Sequence, residues 1–276
     1  MNDLPTLLAL LREPFIQRAL LVGTLVALMS GVLGVFIVLK RISLIGDGLA
    51  HTAFGGLALG YYLNVVPLWA ATVVVVLGSL GITRSTRSRK IGGDAAVAVI
   101  LQLGLASGIV LLSLARGFGV SIDSLLFGSI LLVDERQILV SATVLAFVLA
   151  VVTAFYRQLQ YTAFDEQQAK AAGINTAILD YLLSALTGVA VIAAIPIVGV
   201  LLISAMLVLP ALMSLQVSRS FRETLLFSPV FGVVSVIAGM VISILLDTAS
   251  GATIVLAAIL GFLVVLGLKR LVKLST

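Results

Sequence analysis

Two ionisable side chains, Asp47 and His51, stand four residues apart in the apolar run LIGDGLAHTAFGGLALG from Leu44 to Gly60, and His51 is the only histidine of the chain. On a helix this spacing projects both from one face. Ionisable groups at membrane depth are costly and as a rule line a cavity or a pathway. Three chemistries fit the pair: a mutually satisfied Asp–His hydrogen bond that stiffens packing, a proton relay, or two ligands for a metal ion. A carboxylate oxygen beside an imidazole nitrogen suits zinc, manganese or ferrous iron. Copper(I) would prefer the cysteines and methionine clusters that this chain lacks. Two ligands do not close a metal site, so carboxylates, carbonyls or water must supply the remainder. Asp123 and Asp247, at the outer ends of their segments, are weaker candidates on electrostatic grounds, and both positions also suit helix caps or loops.

A second feature is FDEQQAKAAGI, from Phe164 to Ile174. Asp165 and Glu166 open a short helix and Lys170 lies near its end, which complements the helix dipole, while Gly173 is placed to terminate it. Ala169, Ala171 and Ala172 keep its surface flat. The segment reads either as an ordinary surface helix in a loop or as a docking helix for a groove on a soluble partner. RSTRSRKIGGD, from Arg84 to Asp94, is accounted for by retention of basic residues on the cytoplasmic side and implies no nucleic acid. No GxxxxGK[ST] loop occurs, so the chain does not itself hydrolyse ATP in the P-loop manner, and neither a GxSxG elbow nor an HExxH pair is present. Any chemical energy comes from elsewhere.

The elements that must position these residues follow from composition. Of 276 residues 61% are hydrophobic and 11% charged, against about 45–50% and 25% for a soluble domain. The excess must face lipid, and disorder, coiled coil and a free nucleic-acid-binding domain are excluded. The absence of cysteine excludes disulfides, Cys-ligated zinc, iron–sulfur clusters and thiol catalysis. A spanning helix needs about 20 apolar residues. Such runs lie near 19–39, 44–63, 67–83, 95–115, 137–156, 178–194, 197–213, 225–246 and 252–268, giving an all-α membrane bundle of eight to nine transmembrane helices in one domain, 1–276. The piece 121–133, with Asp123 at its head, is short and reads as a re-entrant or half-buried helix. Five basic clusters vote on orientation: Lys40-Arg41, Arg84 to Lys90, Arg157 to Lys170, Arg219 with Arg222, and the tail from Lys269 to Lys273. All fall on the cytoplasmic side if Ile195-Pro196 marks a tight external turn. The N-terminus is then outside, against which Arg12 and Arg18 argue unless the first helix lies on the cytoplasmic surface. No removed signal peptide is evident in the opening residues.

The segment VLKRISLIGDGLAHTAFGGLALG, from Val38 to Gly60, resembles the permease subunits of bacterial and archaeal ATP-binding-cassette importers for zinc, manganese and iron. That family's pattern is a basic pair, a Ser-Leu-Ile-Gly-like turn, Asp-x-Leu-x-His and a Gly-rich helix. The stretch from Phe164 to Ile174 resembles its coupling segment, Val198 to Leu212 a further apolar signature, and Asp247 to Leu263 its final hairpin. Gly48 stands where the family has Ala and Gly55-Gly56 where many members have Pro-Gly, differences that bear on helix bending. The resemblance implies a type II importer fold in a bacterial or archaeal cell membrane, with two permease copies forming a pathway and Asp47 and His51 on the family's metal-handling positions. It also implies ATPase subunits docked on the coupling helices, through Phe164, Asp165, Glu166, Ala169 and Gly173, and an external lipoprotein or periplasmic protein that delivers the metal. No cofactor is permanently bound on this reading. A gradient-driven carrier in which the pair relays protons, and an intramembrane metalloenzyme, are the rivals; the first usually shows repeats or broken helices and the second needs further polar residues.

Overall fold

The computed structural model describes residues 13–88, 93–114, 128 and 133–274, and among them it is a helical bundle without strands. In chain order the helices are α1 (Pro14–Leu39), α2 (Ile45–Tyr62), α3 (Pro67–Ser88), α4 (Gly93–Leu114), α5 (Glu135–Ala154), α6 (Tyr156–Phe164), α7 (Glu166–Ala171), α8 (Thr176–Val217), α9 (Phe221–Leu246) and α10 (Ser250–Leu274). Eight stretches are long and apolar enough to cross a membrane: α1, α3, α4, α5, the two limbs of α8 (Thr176–Ile195 and Val198–Val217), α9 and α10. The remaining expected span is α2, which Asp47, His51 and its glycines make less apolar. It is enclosed by the others and packs most extensively on α4 and α3. Asp123 and the expected re-entrant piece 121–133 lie outside the described residues apart from Gly128 and Val133.

The long apolar stretch 176–217 does turn back, but the turn sits later than the proline suggested. Helical geometry fails at Gly199, with φ 79° and ψ 166°, a conformation open to glycine and strained for any residue with a Cβ. Contacts show that the limbs run antiparallel. Asp180 on the first limb pairs with Lys40, just past the end of α1, and Leu207 and Ala211 on the second limb press on Gly34 near that same end. Val198 and Leu202, beside the turn, instead share a small cavity with Ala19 and Gly23 near the start of α1.

This arrangement also gathers the basic clusters. Lys40, Arg87 and Lys170 meet through shared carboxylates, and Lys269 donates to Gln216 at 3.0 Å at the close of the second limb. Positive-inside retention requires these loops to lie on one side, and that side is the cytoplasm. At the opposite end α1 already begins at Pro14, and Arg18 is answered by Glu135 on α5 at 3.6 Å. Of the two cations that argue against an external start, Arg18 therefore has a partner, and Arg12 lies outside the described residues.

Helices in lipid gain little from the hydrophobic effect when they associate, so close backbone approach must supply the packing energy. The α2–α4 crossing shows this directly. A methyl on Gly104 would lie 2.6 Å from the carbonyl oxygen of His51, and one on Gly55 would lie 2.7 Å from that of Gly104. Gly104→Val should therefore force α2 and α4 apart and cost about 1–3 kcal/mol, as overpacking does. Thermal unfolding of the detergent-solubilised protein checks it; an unchanged midpoint would contradict the crossing.

Candidate functional site

Helix α2 carries both residues singled out above, with Asp47 in its first turn, where an acidic side chain complements the helix dipole. Of its 18 residues all are buried except Asp47, His51, Leu59, Tyr61 and Tyr62. Asp47, His51 and Leu59 fall on a single stripe at four-residue steps, with the buried Gly55 between the last two. The pair thus faces the one partly open side of a helix otherwise sealed by its neighbours. Its depth can be read from the crossings. His51 lies against Gly104, at the midpoint of α4, and the adjacent Thr52 packs where Gly78, at the midpoint of α3, leaves room. Spanning helices put their midpoints near the centre of the hydrocarbon core, so His51 sits near mid-depth.

The Nδ1 atom of His51 is buried and has no hydrogen-bond partner. Asp47 is close enough to bear on it electrostatically, yet no Asp–His hydrogen bond through Nδ1 closes the pair. The Thr52 hydroxyl beside them is engaged with the Gly48 carbonyl at 2.6 Å. A buried nitrogen left unmatched costs about 1–3 kcal/mol and calls for an explanation. Among the described residues no group of three or more His, Asp or Glu side chains forms. Asp247 does not join the pair: it is the exposed C-cap of α9 in left-handed geometry (φ 50°), at the outer end of the bundle. Asp123 lies outside the described residues.

The cytoplasmic loop contains two short helices where the sequence predicts one. Phe164 ends α6, and Asp165 breaks the chain and caps α7, its carboxylate accepting from the Gln168 N–H at 2.9 Å. Gly173 closes α7 as expected, with φ 81°, its N–H donating to Lys170 and that of Ile174 to Ala169, both at 3.0 Å. Ala169 is turned inward and fully buried, so it cannot form an outer docking surface; Gln167, Gln168, Lys170, Ala171 and Ala172 face out. Phe164 is 62% exposed, and its inner edge meets Phe221 at 5.8 Å between ring centres. Phe221 in turn contacts Phe36 and Tyr156, each at 5.7 Å.

Beside this loop lies a charged cluster that sequence reading treated only as basic loops. Asp180 receives Lys40 at 2.5 Å and also Arg87. Glu166 receives Lys170 at 2.6 Å and lies 3.6 Å from Arg87. The hydrogen bond from Lys170, aided by the charges of Lys170, Lys40 and Arg87, holds the Glu166 carboxyl below the usual range against a smaller opposing effect of burial. Its stabilising contribution is accordingly present at and above the ordinary carboxylate range and is lost only as pH falls through the lowered value.

Residues 12–269 match the ABC 3 transport family, and the chain belongs to it. It is 34% identical over 249 residues to the manganese transport system membrane protein MntC of Halalkalibacterium halodurans, covering 90% of this chain and 85% of that protein. Against the manganese import system permease protein ScaB of Streptococcus gordonii it is 33% identical over 250 residues, 91% of this chain and 90% of that one. A chain of the solved PsaBC complex from Streptococcus pneumoniae with a Fab superposes at a TM-score of 0.86, with 31% identity and 99% coverage of both chains. The chain is thus a multi-pass membrane permease of a transporter family and not itself the catalytic component.

Proposed function

We propose that the chain is the permease of an importer for a divalent transition metal ion, in which Asp47 and His51 are the ligands offered to the ion in transit. The observation that carries this reading is the buried, unpartnered Nδ1 of His51 beside Asp47 on the one open stripe of α2. A cation would satisfy that nitrogen and the carboxylate together. Manganese is the leading cargo because relatives of this chain are named for its transport, while zinc and ferrous iron suit the same donor set. A proton relay would need exchangeable groups continuing from the pair, whereas the α2 stripe continues through Gly55 and Leu59, which carry none. Two ligands are too few for any of these metals, and a second copy meeting this one across a two-fold axis would add the same pair. Outside the membrane an extracellular or periplasmic metal-binding protein would deliver the ion.

Energy would come from a separate cytoplasmic ATPase. The sequence has no phosphate-binding loop, and the exposed Phe164 and outer face of α7 form a compact surface at the cytoplasmic end. A partner pressing there would push on Phe221, and through its ring contacts on α1 and α9.

Asp47→Ala and His51→Ala should each lower metal uptake by at least about tenfold while the protein remains inserted, since few other donors are near. Radiolabelled manganese accumulation checks this, and normal uptake in both variants would make the pair structural. Docking has its own expected outcome. Ala171→Arg, on the outward face of α7, should release the ATPase during co-purification and leave the fold intact, whereas full retention would move the docking surface elsewhere.

A further inference from the structure

Arg87 stands where three segments with different duties meet. It lies in the last turn of α3, and its guanidinium reaches both the Asp180 carboxylate on α8 and, at 3.6 Å, the Glu166 carboxylate on α7. The side chains of Lys40 and Asp180 are each 14% exposed and that of Arg87 26%, so these pairs are screened less than surface ion pairs. The cluster lines a cavity of about 260 Å³, which gives the side chains room to exchange partners. Glu166 belongs to the short helix assigned above to ATPase docking, and it is the residue of α7 that pairs with α3.

The upper part of α3 lies beside the metal pair. Ile82 is 3.4 Å from where a Cβ on Gly48 would be, and Gly78 is matched to Thr52. Gly48 follows Asp47 and Thr52 follows His51, so α3 touches the immediate neighbour of each ligand. From Arg87 to Gly78 is nine residues of unbroken helix, about 14 Å at 1.5 Å per residue. A helix is stiff over that length, so a displacement at its charged end is delivered at the other.

We infer that Arg87 is the positioning residue that carries movement of the coupling helix to Asp47 and His51, by holding Glu166 and Asp180 at once. The inference rests on the metal-import reading. Both contacts run through one guanidinium nitrogen, Nη1, placed between carboxylates on separate elements; the planar guanidinium presents it rigidly, whereas a lysine is a flexible point charge. A second fastening joins the same helices without charge, from the Thr83 hydroxyl to that of Ser184 at 2.7 Å, and it provides a control.

The test uses the complex of this chain with its ATPase in liposomes, with Mn2+ uptake and ATP hydrolysis measured together. Arg87→Gln and Glu166→Gln should keep the ATPase bound and hydrolysing but deliver at least about fivefold less Mn2+ per ATP, the low end of coupling between distant sites. Arg87→Lys should restore the ratio only in part, and Thr83→Val should leave it at the wild-type value. Glu166→Gln decides the matter if Arg87→Gln fails to fold, because it leaves the Arg87–Asp180 pair intact. A wild-type ratio in whichever of these two variants folds would overturn the inference, as would an equal loss in Thr83→Val. A wild-type complex that takes up none of Mn2+, Zn2+ and Fe2+ would overturn the import reading and this inference with it, whereas uptake undiminished in His51→Ala would leave import standing and overturn the link from Arg87 to the metal pair.

Discussion

An ionisable side chain at the centre of a bilayer costs about 3 kcal/mol on insertion scales even before its other interactions are counted, and this chain places two of them on one helix. That cost shapes the fold around α2. A helix bearing Asp47 and His51 cannot rest against lipid on all sides, so it is enclosed by α3, α4 and α8, whose Ser204 and Leu207 press on Gly46. Enclosure in turn requires neighbours whose backbones come within van der Waals contact, because only packing and polar contacts hold helices together in lipid. The absence of a side chain on Gly104 lets α4 reach the His51 carbonyl itself. The stripe left open is the one that bears the ionisable groups, which ties the packing of the bundle to its chemistry.

The charged residues near the cytoplasm obey a different balance. Lys40, Arg87, Asp180, Glu166 and Lys170 lie at the partly wetted end of the bundle, where each basic side chain pairs with a carboxylate. They fasten the ends of α1, α3, α7 and α8 at the level where a soluble partner would press. One end of the bundle is thus suited to receive force and its middle to hold an ion, with stiff helices between the two.

Much of this was legible in the sequence because membrane depth leaves such a strong signal. Apolar runs of span length and a lone Asp-x-x-x-His stand out in a chain with few charges, and every expected span is a helix. The turn in the 178–213 stretch was also visible, although Pro196 drew attention from Gly199, whose positive φ only the backbone reveals. The start of α7 at Asp165 and Glu166 was legible, because Asp165 has the signature of an N-cap three residues before Gln168, whereas α6 before it, ending at Phe164, was not. The inward orientation of Ala169 was not readable, since α7 offers only small and polar residues and tertiary contacts decide which face turns in. Asp180 carries the same signal as Asp47, an acid in an apolar run, but its partner Arg87 is 93 positions away and only the folded chain brings them together.

The central claim is that a metal ion in transit touches the imidazole of His51, and pulsed electron paramagnetic resonance of Mn2+ bound to the purified protein tests it most directly. The account predicts a nitrogen hyperfine coupling of imidazole type in the wild type that disappears in His51→Ala, whose only histidine has been removed. A wild-type spectrum of bound Mn2+ with no nitrogen coupling, or one unchanged by the substitution, would contradict it.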